Sequence, residues 1–132
     1  MAIRLTNAAA SAAANSTGLK GYIGNTPKIS IYEGAVNANA ELAPAGNLLA
    51  TVEIASFGAA SNGTITSEGG SDSATDSGEA ACFVLYKSDG TTKVLDGSAG
   101  EDSGEDLVFD EATFVSGGTV AISSFAITVP PA

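Results

Sequence analysis

Apolar residues alternate with polar or small ones over short runs along most of this chain. In residues 28–54, KISIYEGAVNANAELAPAGNLLATVEI, Ile29 and Ile31 alternate with Ser30 and Tyr32. Further on, Leu48, Ala50, Val52 and Ile54 alternate with Leu49, Thr51 and Glu53. Period-two alternation puts one set of side chains on one sheet face, so the stretch predicts strand, loop, strand. The connection over residues 34–47 is small-residue rich and longer than a usual hairpin loop. That length points to a crossover between sheets or to a contact surface for a neighbour.

The same reading continues toward the C-terminus. Residues 81–87 and 91–96 predict a hairpin around Ser88-Asp89-Gly90, because Asp-Gly between alternating runs favours a tight turn. Cys82, Val84 and Tyr86 share one face and Phe83 and Leu85 the other, so this strand should be central and covered on both sides. Short strands are expected at 64–66, 107–109 and 113–115, and Asn62-Gly63 and residues 116–118 read as turns. Residues 68–78, EGGSDSATDSG, and 97–106, GSAGEDSGED, read as polar loops. The last strand, residues 119–129, changes phase: Val120 and Ile122 follow one parity, Phe125, Ile127 and Val129 the other. A bulge at Ser123-Ser124 would restore one apolar face; alternatively the strand bends from one sheet to another.

Only the N-terminus departs from this pattern. Residues 3–15, IRLTNAAASAAAN, are rich in alanine, the best helix former, and Thr6 or Asn7 could cap a helix that starts late. A short alanine-rich helix is marginal alone and should dock on its own domain or on a neighbouring subunit. Residues 19–27 read as a connector. The prediction is therefore an all-β chain, a β-sandwich or jelly-roll-like domain over residues 1–132, with residues 1–20 as an N-terminal helical arm.

Charge narrows the function. The chain of 132 residues carries fifteen acids and five bases, net charge −10. Five scattered cations cannot assemble a nucleic-acid groove, and the same balance disfavours an anionic membrane surface. Arg4, Lys20 and Lys28 lie in the first 28 residues, whereas twelve of the fifteen acids fall between Glu68 and Glu111. Lys87 and Lys93 flank the predicted hairpin and read as solvated. No secretory signal and no run of apolar residues long enough to span a membrane is visible.

Candidate chemistry is sparse. There is no histidine, which removes most general-base, triad and zinc arrangements. Cys82 is the only cysteine, so no internal disulfide forms, and it reads as a small buried apolar residue. Two acid clusters remain: Asp72, Asp76 and Glu79, and Glu101, Asp102, Glu105 and Asp106. Oxygen-rich loops can hold Ca²⁺, but this spacing fits no EF-hand register, and solvated loops are the plainer reading. Paired carboxylates serve glycosidases, yet the chain has no tryptophan to stack on a sugar. No catalytic residue, cofactor or metal is expected.

The start MAIRLTNAAASAAAN, then KISIYEG, PAGNLLATVEIASFGAASNGTITS, FVLYKSDGTTKVLDGS and the ending VSGGTVAISSFAITVP together resemble a family of small tailed-bacteriophage virion structural proteins. The resemblance covers most of the chain. It implies a capsid decoration (cement) protein that binds the outside of the major capsid protein shell without catalysis. Such a protein is located on the virion, assembled in the host cytoplasm, and homo-oligomeric as a dimer or trimer. The resemblance supplies no defined site. On the charge asymmetry, Arg4, Lys20 and Lys28 are the expected capsid contacts. A phage tail, fibre or adhesion protein and a carbohydrate-binding β-sandwich are the alternatives, and an enzyme is the weakest of the readings.

Overall fold

Strands dominate, as the alternation predicts. The structure, a computed structural model, describes residues 4–14, 18–34, 46–59, 64–101, 107–109, 112–122 and 124–128. In chain order these form β1 (Arg4–Leu5), α1 (Asn7–Ala14), α2 (Gly18–Ile23), β2 (Lys28–Tyr32), β3 (Leu48–Glu53), β4 (Thr64–Ser67) and β5 (Gly70–Ser73). They continue as β6 (Gly78–Glu79), β7 (Cys82–Tyr86), β8 (Lys93–Gly100), β9 (Leu107–Val108), β10 (Thr113–Phe114), β11 (Thr119–Ile122) and β12 (Phe125–Thr128).

The main sheet has the order β1-β8-β7-β2-β3, antiparallel throughout, with β9 pairing β8 in parallel. β2 and β3 are direct neighbours, Ile31 facing Ala50 and Lys28 facing Glu53. The expected crossover is thereby overturned: residues 34–47 join adjacent strands of one sheet. Residues 35–45 themselves lie outside the described residues, as do 60–63, 102–106 and 129–132. A register shift after Ile31 puts Tyr32 opposite Leu48 and leaves Leu49 as an extra residue. Leu49 is fully buried and Leu48 is 41% exposed, the reverse of what simple alternation implies for this pair.

One face of the sheet is apolar. Val52, Ile29 and Leu85 line up across β3, β2 and β7, and Leu95 follows on β8. Beside them run Ala50, Ile31, Phe83 and Gly97. All of these except Gly97 belong to the main buried cluster. β7 is covered on both faces as predicted, with residues 82–85 all buried. Gly97 stands opposite Phe83 and Ser98 opposite Cys82, so β8 runs on to Gly100 through residues expected to begin a loop. The ladder and the burial of Gly97, Ser98 and Ala99 override the turn-like composition there.

The second polar stretch, 68–78, also contains strands. β5 pairs β11 and β6 pairs β10, while Ser71, Asp72 and Ser73 stay exposed. Backbone pairing needs no apolar side chain on the solvent face, which is why composition concealed these strands. β4 pairs β12 in the same sense as β5 pairs β11. Ile122 faces Gly70 and Phe125 faces Ser67, three residues on in one strand and three back in the other, so neither carries an extra residue. The expected bulge is therefore corrected. The alternative reading holds: the chain passes from one two-stranded sheet to another between Gly70 and Ser67 and between Ile122 and Phe125. Gly69 takes a positive φ of 85° at the bend, a conformation open to glycine at little cost. Burial changes parity there: Val120, Ile122, Phe125 and Ile127 all face inward.

This bent ribbon closes the apolar face. The Phe125 ring meets the edge of Phe83 at 5.4 Å and of Phe57 at 6.1 Å. β5 is tied to β3 at both ends, by Ala55 N–H to the Gly69 carbonyl (3.0 Å) and Thr75 N–H to the Leu49 carbonyl (2.8 Å).

The helices pack on the same body. Arg4 and Leu5 pair with Asp96 and Leu95 as an edge strand, so the helix predicted from residue 3 begins only at Asn7. Thr6 caps it, its Oγ1 accepting from Ala9 N–H at 3.2 Å while its own N–H donates to the Val94 carbonyl at 2.9 Å. Ala9 is fully buried in the chain's own core. Residues 18–23 form a second helix in place of the expected connector. Ile23 is 1% exposed, and such burial holds a six-residue helix that propensity alone would not.

Candidate functional site

The second face of the main sheet carries the polar residues. Thr51, Ser30 and Val84 line up across β3, β2 and β7, followed by Asp96 on β8 and Arg4 on β1. Tyr32, Cys82 and Ser98 form a second row, and Glu53, Lys28, Tyr86 and Lys93 a third. A register shift on β8 makes the third row. Leu95 faces Leu85, Lys93 faces Tyr86, and Val94 is the extra residue. Lys93 and Asp96, three apart, would point to opposite faces of a regular strand. The extra residue returns both to one face, where Lys93 Nζ lies 3.3 Å from Asp96 Oδ2 with side chains 13% and 5% exposed. Lys93 is thus a half-buried ion-pair partner, not the solvated residue expected.

Electrostatics on this face follow from burial. Desolvation pushes the Cys82 thiol up, the nearby Asp96 carboxylate adds to the effect, and Lys93 opposes it. The thiol therefore stays protonated at neutral pH and is a poor nucleophile. The Tyr86 hydroxyl is raised above its ordinary range, chiefly by burial and then by its contact with the Tyr32 hydroxyl at 3.5 Å.

Each sequence-predicted contact has a definite position. Arg4 stands in β1 opposite Asp96. Lys20 is exposed on α2. Lys28 opens β2, and its side chain runs to the hairpin turn, where a Cβ added at Gly90 would lie 3.8 Å from its Cδ. Two bases not singled out from sequence join them. Lys87 Nζ sits 3.9 Å above the Tyr22 ring of α2, and Lys93 faces Tyr86. Antiparallel pairing is the cause: β2 and β8 begin with Lys28 and Lys93, and β7 is followed by Lys87, so all three meet at one end of the sheet. Glu33 and Glu101 directly follow the opposite ends of β2 and β8, and Glu79 lies in β6, three residues before β7. Lys28, Lys87 and Lys93 thus gather at one end, with Lys20 on the neighbouring α2 and the Arg4 backbone paired to Asp96 on the adjoining face, interspersed with Glu53, Asp89 and Asp96. The signal for this was present in the alternating placement of Lys and Glu at successive strand ends, but it is legible only once the strand order is known.

The described acidic residues do not converge into a metal site. Asp72 and Asp76 each accept from the next residue's backbone N–H, at 2.8 Å in both cases. Glu101 accepts from Ala112 N–H at 2.9 Å, and Glu79 is exposed in β6. Among the described residues no group of three metal-ligating side chains forms; Asp102, Glu105 and Asp106 lie outside them. No helix among the described residues is long and apolar enough to cross a membrane. Comparison with known protein families, with curated proteins and with solved structures finds no match.

Proposed function

We propose that this chain is a phage capsid decoration protein whose basic end docks on the major capsid protein shell. The observation that supports it most is the meeting of Lys28, Lys87 and Lys93 at one end of the main sheet, with Lys20 exposed on the neighbouring α2, in a molecule whose net charge is −10. A solubility surface has no need of such sorting, whereas a docking surface for an acidic partner does. Arg4, Lys20 and Lys28 are the contacts, extended by Lys87. The role requires no catalysis, cofactor, metal, nucleic acid or membrane. The sheet and the bent ribbon are read as the two layers of a β-sandwich of jelly-roll type, held by Phe83 and Phe125. The protein is located on the virion surface, bound as a homo-oligomer.

The test is shell binding by purified protein with Lys20→Glu, Lys28→Glu and Lys87→Glu combined. Occupancy should fall, and wild-type binding should weaken with salt. Unchanged occupancy refutes the docking surface. Copy number in particles separates decoration, with hundreds of copies, from a tail or fibre protein, with a handful.

A further inference from the structure

β11 and β12 form one edge of the bent ribbon. The other edge is docked: β5 is tied to β3, and Gly58 N–H donates to the Thr66 carbonyl of β4 at 3.0 Å. Among the described residues no strand pairs with the outer side of β11 and β12. Natural proteins guard such edges with charges, prolines or bulges. Residues 119–128, TVAISSFAIT, contain no charge and no proline, and the ribbon's register carries no extra residue.

The stretch is also chemically palindromic about the bond between Ser123 and Ser124. Reading outward, Ser123 matches Ser124, Ile122 matches Phe125, and Ala121 matches Ala126. Val120 then matches Ile127, and Thr119 matches Thr128. In a regular strand, residues at equal distances from a point between two neighbours lie on opposite faces. The bend cancels that mismatch: Ile122 and Phe125 are both buried, as are Val120 and Ile127, while Ala121 and Ala126 are both exposed. A two-fold axis relating β11 of one copy to β12 of the other therefore superposes inward on inward and outward on outward. An isologous contact needs this self-complementarity, and β-strand addition supplies the hydrogen bonds.

We infer that two copies of this chain pair antiparallel through their β11–β12 edges, with Ile122 of each copy opposite Phe125 of the other. Ala121 of each copy then faces Ala126 of the other. The uncharged edge suits self-association in a chain of net charge −10, because it brings no carboxylate against another. The inference does not rest on the shell-binding reading, since it holds for the protein alone in buffer.

Sedimentation equilibrium of the full chain at high micromolar concentration tests it. The expected mass is twice that of one chain. Ala121→Glu with Ala126→Glu sets like charges opposite each other twice per dimer and should raise the dissociation constant by about tenfold or more. Ala121→Lys with Ala126→Glu sets opposite charges together and should stay dimeric. A monomeric or trimeric wild type overturns the inference, as does a dimer that the doubly acidic variant leaves intact. Hydrogen exchange on the wild type checks the same point without variants. Amides in residues 119–128 should gain protection as concentration rises through the dimer range, and protection independent of concentration counts against the contact.

Discussion

Removing Phe83 tests the packing of ribbon on sheet most directly. Its side chain is fully buried at the centre of β7, opposite Ile31 on β2 and Gly97 on β8. Gly97 has no side chain to move into the space, and the backbone on both sides is fixed by ladder bonds. Phe83→Ala should therefore leave a cavity and cost about 3–5 kcal/mol. Within that loss, the edge contact with Phe125 contributes about 0.5–1.5 kcal/mol beyond area burial. A domain of this size has roughly 5–15 kcal/mol in total, so the variant should remain folded but lose a large share of its margin. In urea, with a slope of about 1–3 kcal/mol per molar, the midpoint should fall by roughly 2 M. A double-mutant cycle with Phe125→Ala isolates the contact between the layers and should return a coupling of about 1 kcal/mol. A loss below about 1 kcal/mol for Phe83→Ala, or no coupling with Phe125, would refute the layer packing.

Gly70→Ala should destabilise by about 1–3 kcal/mol in the same urea assay, because the added Cβ collides with the Glu53 carbonyl where β5 meets β3; a neutral result means the two strands are further apart than described. Asp89 in the hairpin turn accepts from Thr92 Oγ1 and from the backbone of Thr91 and Thr92, which lowers its pKa to about 2 from 3.8. The turn holds the carboxylate form, so its contribution is whole above pH 3.8 and is lost as pH falls through about 2. Thermal melts across that window should show the wild type losing its advantage over Asp89→Asn; a constant difference contradicts the bonding scheme. Cys82, buried and held protonated, should react with a thiol reagent only after denaturation, and prompt labelling of the native protein would show the polar face to be open.

The central sheet was legible because its strands alternate cleanly and Asp89-Gly90 marks the hairpin. What escaped the sequence shares one cause: the partner strand decided the outcome. Glycine and serine in residues 70–73 look like loop, yet β11 supplies their ladder. Leu48 and Leu49 exchange roles because a register shift, invisible in one strand alone, falls between them and β2. The short helix at 18–23 exists through the burial of Ile23 and not through propensity. At the candidate site, Arg4, Lys20 and Lys28 were chosen for their early positions in the chain. Lys87 and Lys93 were passed over because the pairing of β7 with β2, which sets their hairpin alongside Lys28, is a tertiary fact. The phase change between Ile122 and Phe125 was read correctly, and of its two candidate causes the bend from one sheet to another holds and the bulge does not. A bulge was one way to restore an apolar face, and a concerted bend of two strands achieves it without an extra residue.

Lys28, Lys87 and Lys93 at one end of the sheet, with Glu33 and Glu101 after the other ends of β2 and β8, give the molecule a lengthwise polarity. β8 alone runs from Lys93 to Gly100, about 25 Å of extended chain. Mobile ions screen charge over about 8 Å at physiological salt, so in that medium the two ends act as separate local surfaces. In dilute salt the same charges act together as a dipole. An approaching molecule is then turned before it touches, so that it meets an acidic surface end-on, with its strands upright. Orientation is in that case selected during the encounter, and association should slow with added salt more than dissociation quickens.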